Sequence, residues 1–342
     1  MSAAGAVSAL GMTARVCIPP EEGPRLHVVI DTEEEFDWDA PYARANTSVS
    51  AMRHVGRVQR IFDRFRIVPT YVIDYPVAAQ PEGYEPLLEI VARGGCEVGA
   101  HLHPWVSPPF DEPVTVANSY TCNLTPALQR TKIEVLRDTI LANVGARPAT
   151  FKAGRYGLGL DTVRILEELG FTIDGSVCPR FDFTDQLGPS FAAFDSSLLF
   201  LTPGLLEIPC TVDYIGWAGS LRPTLHRMAS SGALAPIRAV GVLARLGAAN
   251  KIMLSPEGNT LGEMQALTRA LVVRGCRHVT LSFHSPSVEP GHTPYVRSQQ
   301  DLDRFLRTIE QYCEFFMKEI GGRPITSAGT RSWVQSFLEP IA

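Results

Sequence analysis

Short apolar runs alternate with longer segments of helical periodicity along most of this chain, and no other sequence feature constrains its fold as strongly. Strands that alternate with helices form a parallel sheet whose faces the helices cover. Strands are predicted at 26–31, 69–74, 97–101, 149–153, 171–174, 205–210 and 278–283. Helices are predicted at 52–65, 84–93, 125–144, 160–169, 266–274 and 302–318. About seven such units can close on themselves, so the sequence predicts an α/β barrel.

Length and composition place the chain among ordinary globular proteins. Its 342 residues are 45% hydrophobic and 20% charged, which is enough apolar material for one large core. There is no composition break or long linker, so we expect a single catalytic domain at 25–342 after a flexible leader at 1–24. The least regular stretch, 181–250, is interpreted as an insertion that faces the substrate.

Charge and cysteine content indicate which partners and which cellular compartment suit the protein. The net charge of −5 and the pI near 5.9 argue against nucleic-acid binding, which usually needs a basic face. The seven cysteines are scattered without a CxxC pair, which fits a reducing compartment. The apolar N-terminus lacks a basic region and is too short to span a bilayer. We therefore expect a cytoplasmic protein without a membrane span; a cleaved, atypical signal peptide is the alternative.

The pentapeptide His101-Leu102-His103-Pro104-Trp105 follows the third predicted strand. Side chains alternate along a strand, so His101 and His103 face the same way. Pro104 has no N–H to donate and therefore ends the strand ladder. Two neutral imidazoles aimed at one point form a divalent-metal site, for which zinc is the first expectation. The alternative is a pair of hydrogen-bonded histidines in a loop.

A cluster of carboxylates follows the first predicted strand. The apolar run 28–30 gives way to Asp31 and Glu33, which again lie two residues apart on one face. One of these carboxylates could bind a metal, while the other accepts a proton from the water that the metal activates. A solvated acidic loop is the alternative interpretation.

Three further strand ends carry candidate residues, at the position where barrel enzymes place their chemistry. Arg155, in the turn Gly154-Arg155-Tyr156-Gly157, has a planar guanidinium that can orient a carboxylate, or it is a surface residue of the turn. Asp174 is either a site residue or a helix cap. His284 has an ordinary pKa of about 6.5, which suits acid–base catalysis unless the ring is only a buried structural histidine.

Taken in chain order, these segments resemble the NodB-homology polysaccharide deacetylases, carbohydrate esterase family four, over almost the whole chain. The resemblance implies a distorted (β/α)7 barrel with five active-site motifs. By the match at 30–33, Asp31 is the catalytic base and Glu33 is a metal ligand. The second motif usually separates its two histidines by four residues, but Trp105 stands at that position here. His101 and the nearer His103 are therefore expected to bind the metal.

The remaining motifs supply the acid–base network. A loose match to the third motif at 154–157 implies that Arg155 orients the base. The fourth motif matches at Asp174, which implies a charged partner for this network. The fifth motif matches Leu281-Ser282-Phe283-His284, which implies that His284 is the general acid.

The resemblance implies a metal-dependent hydrolase that removes an N-acetyl group from an amino sugar or glycan. Asp31 would take the proton of the activated water, and His284 would protonate the departing amine. The metal and a backbone amide near Tyr156 would hold the oxyanion. Zinc is the expected metal, with cobalt, nickel and manganese as alternatives. Trp38, Trp105 and Tyr156 either stack on a sugar face or pack within loops, and a homo-oligomer is compatible with the sequence.

Three other functions stay open at this point. Some relatives within the family cleave formamides or ring amides instead of N-acetyl groups. Barrel amidohydrolases also use a His-x-His motif, and Lys152 could then bridge metals, but their motif usually lies on the first strand. A barrel that has lost its activity and binds glycans is the non-enzymatic alternative.

Overall fold

The computed structural model of the chain describes residues 15–230 and 239–338. Its strands are β1 (Arg25–Thr32), β2 (Thr70–Ile73), β3 (Glu97–Leu102), β4 (Thr150–Ala153), β5 (Ile173–Asp174), β6 (Leu199–Phe200), β7 (Leu206–Glu207), β8 (Val212–Ile215), β9 (Asn250–Met253), β10 (His278–His284) and β11 (Arg323–Pro324). Each predicted strand thus has a counterpart, whereas β6, β8, β9 and β11 are additional to the prediction.

The helices lie between these strands. They are α1 (Gly56–Arg64), α2 (Tyr75–Ala79), α3 (Pro81–Ala92), α4 (Pro126–Val144), α5 (Leu160–Glu168), α6 (Arg222–Ala229), α7 (Ala239–Arg245), α8 (Leu261–Val273), α9 (Gln299–Lys318) and α10 (Ser327–Gln335). Short 3₁₀ helices lie at Ser50–His54, Ala117–Ser119, Thr121–Asn123, Gly154–Tyr156, Thr184–Gln186, Gly219–Leu221 and Ser285–Val288. Among the described residues, no helix combines the length and apolarity that crossing a membrane requires.

The strands form one curled sheet in the order β10-β1-β2-β3-β4-β5-β7-β6, and β11 pairs with the start of β1. All neighbours from β10 to β7 are parallel, whereas β6 is antiparallel to β7. Strands β8 and β9 form a separate antiparallel pair. Leu254, just after β9, accepts a hydrogen bond from the Ser282 amide at 3.1 Å and donates one to the Thr211 carbonyl at 2.8 Å. These bonds link β10 to the chain beyond β7 and confirm the predicted distorted α/β barrel.

The two faces of the curled sheet differ in chemistry because side chains alternate along each strand. On β1, Leu26, Val28 and Ile30 belong to the large hydrophobic core that packs against the helices. His27 and Asp31 point to the opposite face, into the barrel interior, where each lines a cavity. Polar side chains therefore line the barrel interior from His27, near the start of β1, to Asp31 at its carboxyl end.

The predicted helix at 52–65 divides into two parts. The 3₁₀ helix Ser50–His54 comes first, and α1 begins at Gly56. The closing helix starts three residues before its predicted position, because Ser298 caps it and forms a reciprocal capping box with Asp301.

The predicted leader and insertion are only partly described. Arg15 forms a β-bridge with Leu199 and an ion pair of 2.8 Å with Asp195, so this end of the leader contacts the barrel. The rest of the predicted leader up to residue 14 lies outside the described residues. The 181–250 segment contributes β6 to β8, α6 and α7 to the domain, and its residues 231–238 also lie outside the description.

Candidate active site

The carboxyl ends of β1, β3, β4 and β10 bring the candidate residues together at one edge of the barrel. Asp31 on β1 is in register with His284 on β10, and His101 on β3 is in register with Lys152 on β4. Partners in register on parallel strands point to the same face. All four side chains, with Glu33, line one cavity of about 490 Å³.

Glu33, His101 and His103 form a buried group of three ligand atoms that lie within 4.8 Å of one another. The Nε2 atoms of both histidines lie 3.4 Å from the same oxygen, Oε2 of Glu33. Ligands at zinc–nitrogen and zinc–oxygen bond lengths in a tetrahedron would be about 3.3 Å apart, so the spacing fits this metal. The His₂Glu donor set is also one that catalytic zinc sites use.

Hydrogen bonds at the far side of each ring hold the two histidines in the orientation that a metal needs. His101 Nδ1 lies 3.0 Å from the carbonyl oxygen of Lys152, and His103 Nδ1 lies 2.7 Å from Oε2 of Glu34. A ring that donates through Nδ1 directs the lone pair of Nε2 toward the metal position. Burial lowers the pKa of His103, so this ring is neutral, as a ligand must be.

The charge of Glu33 suits the same role. Burial alone would raise the pKa of this carboxyl group, but His284, His101 and His103 outweigh that effect and hold its pKa below the ordinary value. An ionised Glu33 supplies the anionic ligand that two neutral histidines lack.

A second group of potential ligands, Glu34, Asp74 and His103, also lies within metal-binding distance. Here the 2.7 Å between His103 Nδ1 and Glu34 is the length of a hydrogen bond and leaves no room for an ion between these atoms. Burial raises the pKa of Glu34 to about 8, and burial together with Glu34 raises the pKa of Asp74 well above its ordinary value. Glu34 and Asp74 therefore form a carboxyl pair that holds the His103 ring in place through the hydrogen bond between His103 and Glu34.

Asp31, the expected base, is held by Lys152. The Lys152 ammonium donates to both carboxylate oxygens of Asp31, at 2.7 Å each, with both side chains buried. Burial raises the pKa of Asp31, but Lys152 and the neighbouring His101 and His284 outweigh it, so the pKa lies below its ordinary value. Asp31 is thus ionised and able to accept a proton.

This geometry corrects the role expected for Arg155 as the residue that orients Asp31. The Arg155 guanidinium donates to Ser119 and Gln186 instead, and it lies 4.1 Å from the centre of the Tyr120 ring. The physical reason is that the Lys152 ammonium already occupies both oxygens of Asp31, while the Arg155 guanidinium is held by neutral groups of the cavity wall.

His284, the expected acid, lies 3.8 Å from Asp31 between Nε2 and Oδ2. Its Nδ1 lies 2.7 Å from Oε2 of Glu257, and its backbone amide donates to the same carboxylate at 3.1 Å. Burial opposes the charged ring, but Glu257, Glu33 and Asp31 outweigh it and raise the pKa of His284 to about 10. The ring is therefore protonated at neutral pH and can donate a proton.

Asp174 lies outside the cavity. Its register partner on β4 is Phe151, a core residue, so its side chain points away from the barrel interior. There it accepts a hydrogen bond of 2.7 Å from the Ser176 hydroxyl, and the pKa of Asp174 is raised, chiefly by burial. The expectation that Asp174 partners the acid–base residues is corrected, because its side chain lies on the outer face, and Lys152 and Glu257 contact Asp31 and His284 instead.

The three aromatic residues proposed for substrate binding all line the cavity, but they differ in what they contact. Trp105 is only 2% exposed, stacks on the His103 ring at 4.3 Å and donates to Glu34 at 2.8 Å. Trp38 meets the His284 ring edge-on at 4.8 Å, and Tyr156 stacks on Phe183 at 5.6 Å. Trp105 thus packs against the candidate ligand His103, while Trp38 and Tyr156 form partly exposed parts of the cavity wall.

Gly154 is required for the close approach of β4 to the ligand His103. A Cβ atom at this position would overlap the His103 ring and lie 2.7 Å from the Leu102 carbonyl oxygen. Any larger residue would have to displace one of the two candidate histidine ligands.

Sequence reasoning missed Lys152 as the partner of Asp31, Glu257 as the partner of His284 and Glu34 as the partner of His103. Strand alternation offered a signal for Lys152, which lies two residues before Gly154 on the inward face of β4. Glu257 follows β9, where no strand was predicted, so its position could not be anticipated.

Neither a family model nor a curated protein matches this sequence. Among solved structures, a protein from Mycobacterium smegmatis, provisionally named a polysaccharide deacetylase, is 15% identical over 94% of this chain and 93% of its own, with a TM-score of 0.50. A peptidoglycan deacetylase from Bacillus subtilis covers 93% of this chain and 95% of its own at 10% identity, with a TM-score of 0.42. A family 4 acetyl xylan esterase from Clostridium thermocellum, solved with a cobalt ion, covers 91% of this chain and 90% of its own at 11% identity, with a TM-score of 0.39.

The similarity to the Mycobacterium smegmatis protein, with its TM-score of 0.50, is the one of these three that supports a shared fold. The similarity extends over almost the whole curled sheet and its helices, since it covers 94% of the chain. The chain therefore has the distorted α/β barrel fold of the NodB-type polysaccharide deacetylases.

Proposed function

We propose that the protein is a metal-dependent hydrolase that removes the acetyl group from an N-acetylated amino sugar. The observation that carries this proposal is the position of Asp31 and His284, 3.8 Å apart in one cavity with the Glu33, His101 and His103 cluster. Each of the two has its own buried counter-charge, Lys152 for Asp31 and Glu257 for His284. Two groups kept in opposite protonation states suit paired base and acid catalysis.

A divalent metal, with zinc the first expectation, would be held by Glu33, His101 and His103 and would activate water and polarise the amide carbonyl. Asp31 accepts the proton of the attacking water while that oxygen forms a bond to the carbonyl carbon. A backbone amide near Tyr156 helps to hold the oxyanion. His284 then donates its proton to the amide nitrogen as the carbon–nitrogen bond breaks, so the products are acetate and a free amine.

The cavity also bears on the substrate. Trp38 and Tyr156 offer ring faces beside the reacting groups, and such faces suit the apolar side of a sugar ring. The aromatic walls equally suit a smaller planar amide, which makes a formamide or ring-amide hydrolase the second candidate.

Release of acetate tests the proposal. The zinc-loaded protein is incubated with N-acetylglucosamine, with N-acetylated oligosaccharides and with formamide and ring-amide compounds, before and after chelation. We expect acetate from an N-acetyl sugar, loss of the activity on chelation and recovery with zinc. The His103→Gln variant should lose zinc, with His54→Gln as the matched control on the surface.

Cleavage of only the formamide or ring amide would favour the second candidate. Absence of any hydrolysis by the zinc-loaded protein would overturn the proposal and favour an inactive barrel.

A further inference from the structure

The charges in the cavity do not balance. Each of its three carboxylates has a partner: Asp31 pairs with Lys152, Glu257 pairs with His284, and Glu33 faces the two candidate histidine ligands. The lining also contains Arg155 and Lys251. Within residues 15–230 and 239–338, Arg155 and Lys251 form no ion pair, because no carboxylate oxygen lies within 4.0 Å of their side-chain nitrogen atoms.

Of the two cations, Lys251 has fewer polar contacts, because Arg155 donates hydrogen bonds to Ser119 and Gln186. Lys251 lies on β9, and its ammonium sits 3.5 Å from the centre of the Phe181 ring. This ammonium makes no hydrogen bond to any part of the chain that the structure describes. Burial lowers the pKa of Lys251, and no carboxylate is among the groups that shift it. The ammonium therefore has lost part of its hydration without gaining an anion.

An aromatic wall connects Lys251 with the reacting groups. Phe181 stacks on Phe183 at 5.7 Å and 10°, and Phe183 stacks on Tyr156 at 5.6 Å and 15°. At the other end of this wall, the Lys152 ammonium lies 5.5 Å from the centre of the Tyr156 ring. Lys251 thus marks the outer end of a continuous wall that begins beside Asp31.

Arg155 adds a second positive charge to the same cavity. Its guanidinium is fixed by Ser119 and Gln186 and lies 5.1 Å from the centre of the Tyr42 ring. Because its position is fixed by neutral groups, its full charge acts on whatever enters the cavity.

We propose that Lys251, assisted by Arg155, forms an anion subsite, and that the natural substrate is an N-acetylated compound that also carries a carboxylate or a phosphate. This inference rests on the proposed function and adds the substrate class to it. The anion would replace the hydration that Lys251 has lost and would fix the substrate along the wall of Tyr156, Phe183 and Phe181. A neutral substrate would leave this partly buried ammonium with its contact to the Phe181 ring but without an anion.

Matched substrates test the subsite. We compare N-acetylglucosamine with N-acetylglucosamine 6-phosphate and with N-acetylmuramic acid, which carries a carboxylate, on the zinc-loaded wild type. The wild type should prefer one of the anionic compounds in kcat/KM by about tenfold to a hundredfold, the range for a hydrogen bond to a charged group. Lys251→Met should remove most of this preference through KM, and Lys251→Arg should retain it. Lys318→Met, at the surface, is the matched control.

The preference for phosphate over carboxylate, or the reverse, identifies the anion. An equal or better kcat/KM for the neutral sugar, or an anionic preference that persists in Lys251→Met, overturns the subsite even if the deacetylase activity itself is established.

A second readout does not depend on catalysis. Acetic anhydride modifies accessible lysines, and mass spectrometry reports the rate at Lys251 and at Lys318. Either anionic sugar should slow modification of Lys251 severalfold at concentrations where N-acetylglucosamine does not, and Lys318 should be unaffected. If no compound is hydrolysed but this protection is seen, the deacetylase proposal fails and the anion subsite stands. Unprotected Lys251 overturns the subsite.

Discussion

Lys152 donates hydrogen bonds to both carboxylate oxygens of Asp31, at 2.7 Å each, inside the barrel, where both side chains are buried. This pair sets the charge of the proposed base. Replacing Lys152 by Met leaves the Asp31 carboxylate buried without a counter-charge, so its pKa should rise. We expect the acidic limb of kcat/KM against pH to move to higher pH and the rate at pH 6 to fall by at least about tenfold.

The Arg155→Gln variant is the comparison for this prediction. Since Arg155 contacts Ser119 and Gln186 rather than Asp31, its loss should leave the acidic limb in place. Equal shifts in the two variants would contradict the assignment of Lys152 as the partner of the base.

Glu257 should control the proton of His284. The pKa of His284 is about 10, because Glu257 and two further carboxylates outweigh the effect of burial. In Glu257→Gln this pKa should fall, so the ring loses its proton at lower pH and the alkaline limb of kcat moves to lower pH. NMR titration of the His284 ring measures the shift directly, and an unchanged titration would show that Glu257 does not hold this proton.

Gly154→Ala tests the packing behind the metal site. The new Cβ would overlap the His103 ring, so we expect zinc affinity to fall by about tenfold to a hundredfold, as for other changes that disturb ligand orientation. Gly262→Ala is the control, because a Cβ at that helical position meets nothing within 4 Å. Zinc content after dialysis against graded chelator measures the effect; wild-type retention in Gly154→Ala would place His103 outside the ligand set.

The buried His278 predicts how stability changes with pH. Burial lowers its folded-state pKa to about 3, below the ordinary value of 6.5 that it regains on unfolding. Its contribution is therefore complete above pH 6.5 and is lost as the pH falls toward 3, because only the unfolded chain takes up the proton. Between pH 7.5 and pH 5, this should lower the free energy of unfolding by about 2 kcal/mol.

Urea unfolding at the two pH values measures this loss. His278→Gln should reduce the difference between them by about 2 kcal/mol, with His54→Gln as the control for removing one imidazole. The same pH dependence in wild type and His278→Gln would contradict the prediction.

The barrel and the cluster of Glu33, His101 and His103 could be predicted because they depend on local patterns. The strand–helix alternation specifies a parallel sheet, and the two-residue spacing of His101 and His103 specifies their common direction. The same two-residue spacing predicts that Asp31 and Glu33 face one side. All four side chains line one cavity, so strand periodicity placed the candidate residues without any knowledge of distant contacts.

The partners of these residues depend on contacts between distant parts of the chain, which periodicity does not report. Lys152 is 121 residues from Asp31, and Glu257 is 27 residues from His284 in a turn that follows a strand absent from the prediction. Arg155 has the chemistry to orient a carboxylate, but its guanidinium donates to Ser119 and Gln186, which lie far from it in the sequence. Asp174 lies at a strand end, but alternation places its side chain on the outer face.

We propose that Asp31 and the cluster of Glu33, His101 and His103 together hydrolyse an N-acetyl group. The decisive measurement is acetate release during titration of the metal-free protein with zinc. Activity should rise with bound zinc, reach a plateau at one zinc per chain, and be at least about a hundredfold lower in Asp31→Asn at equal zinc content. Full acetate release by the zinc-free protein, or by Asp31→Asn, would contradict it.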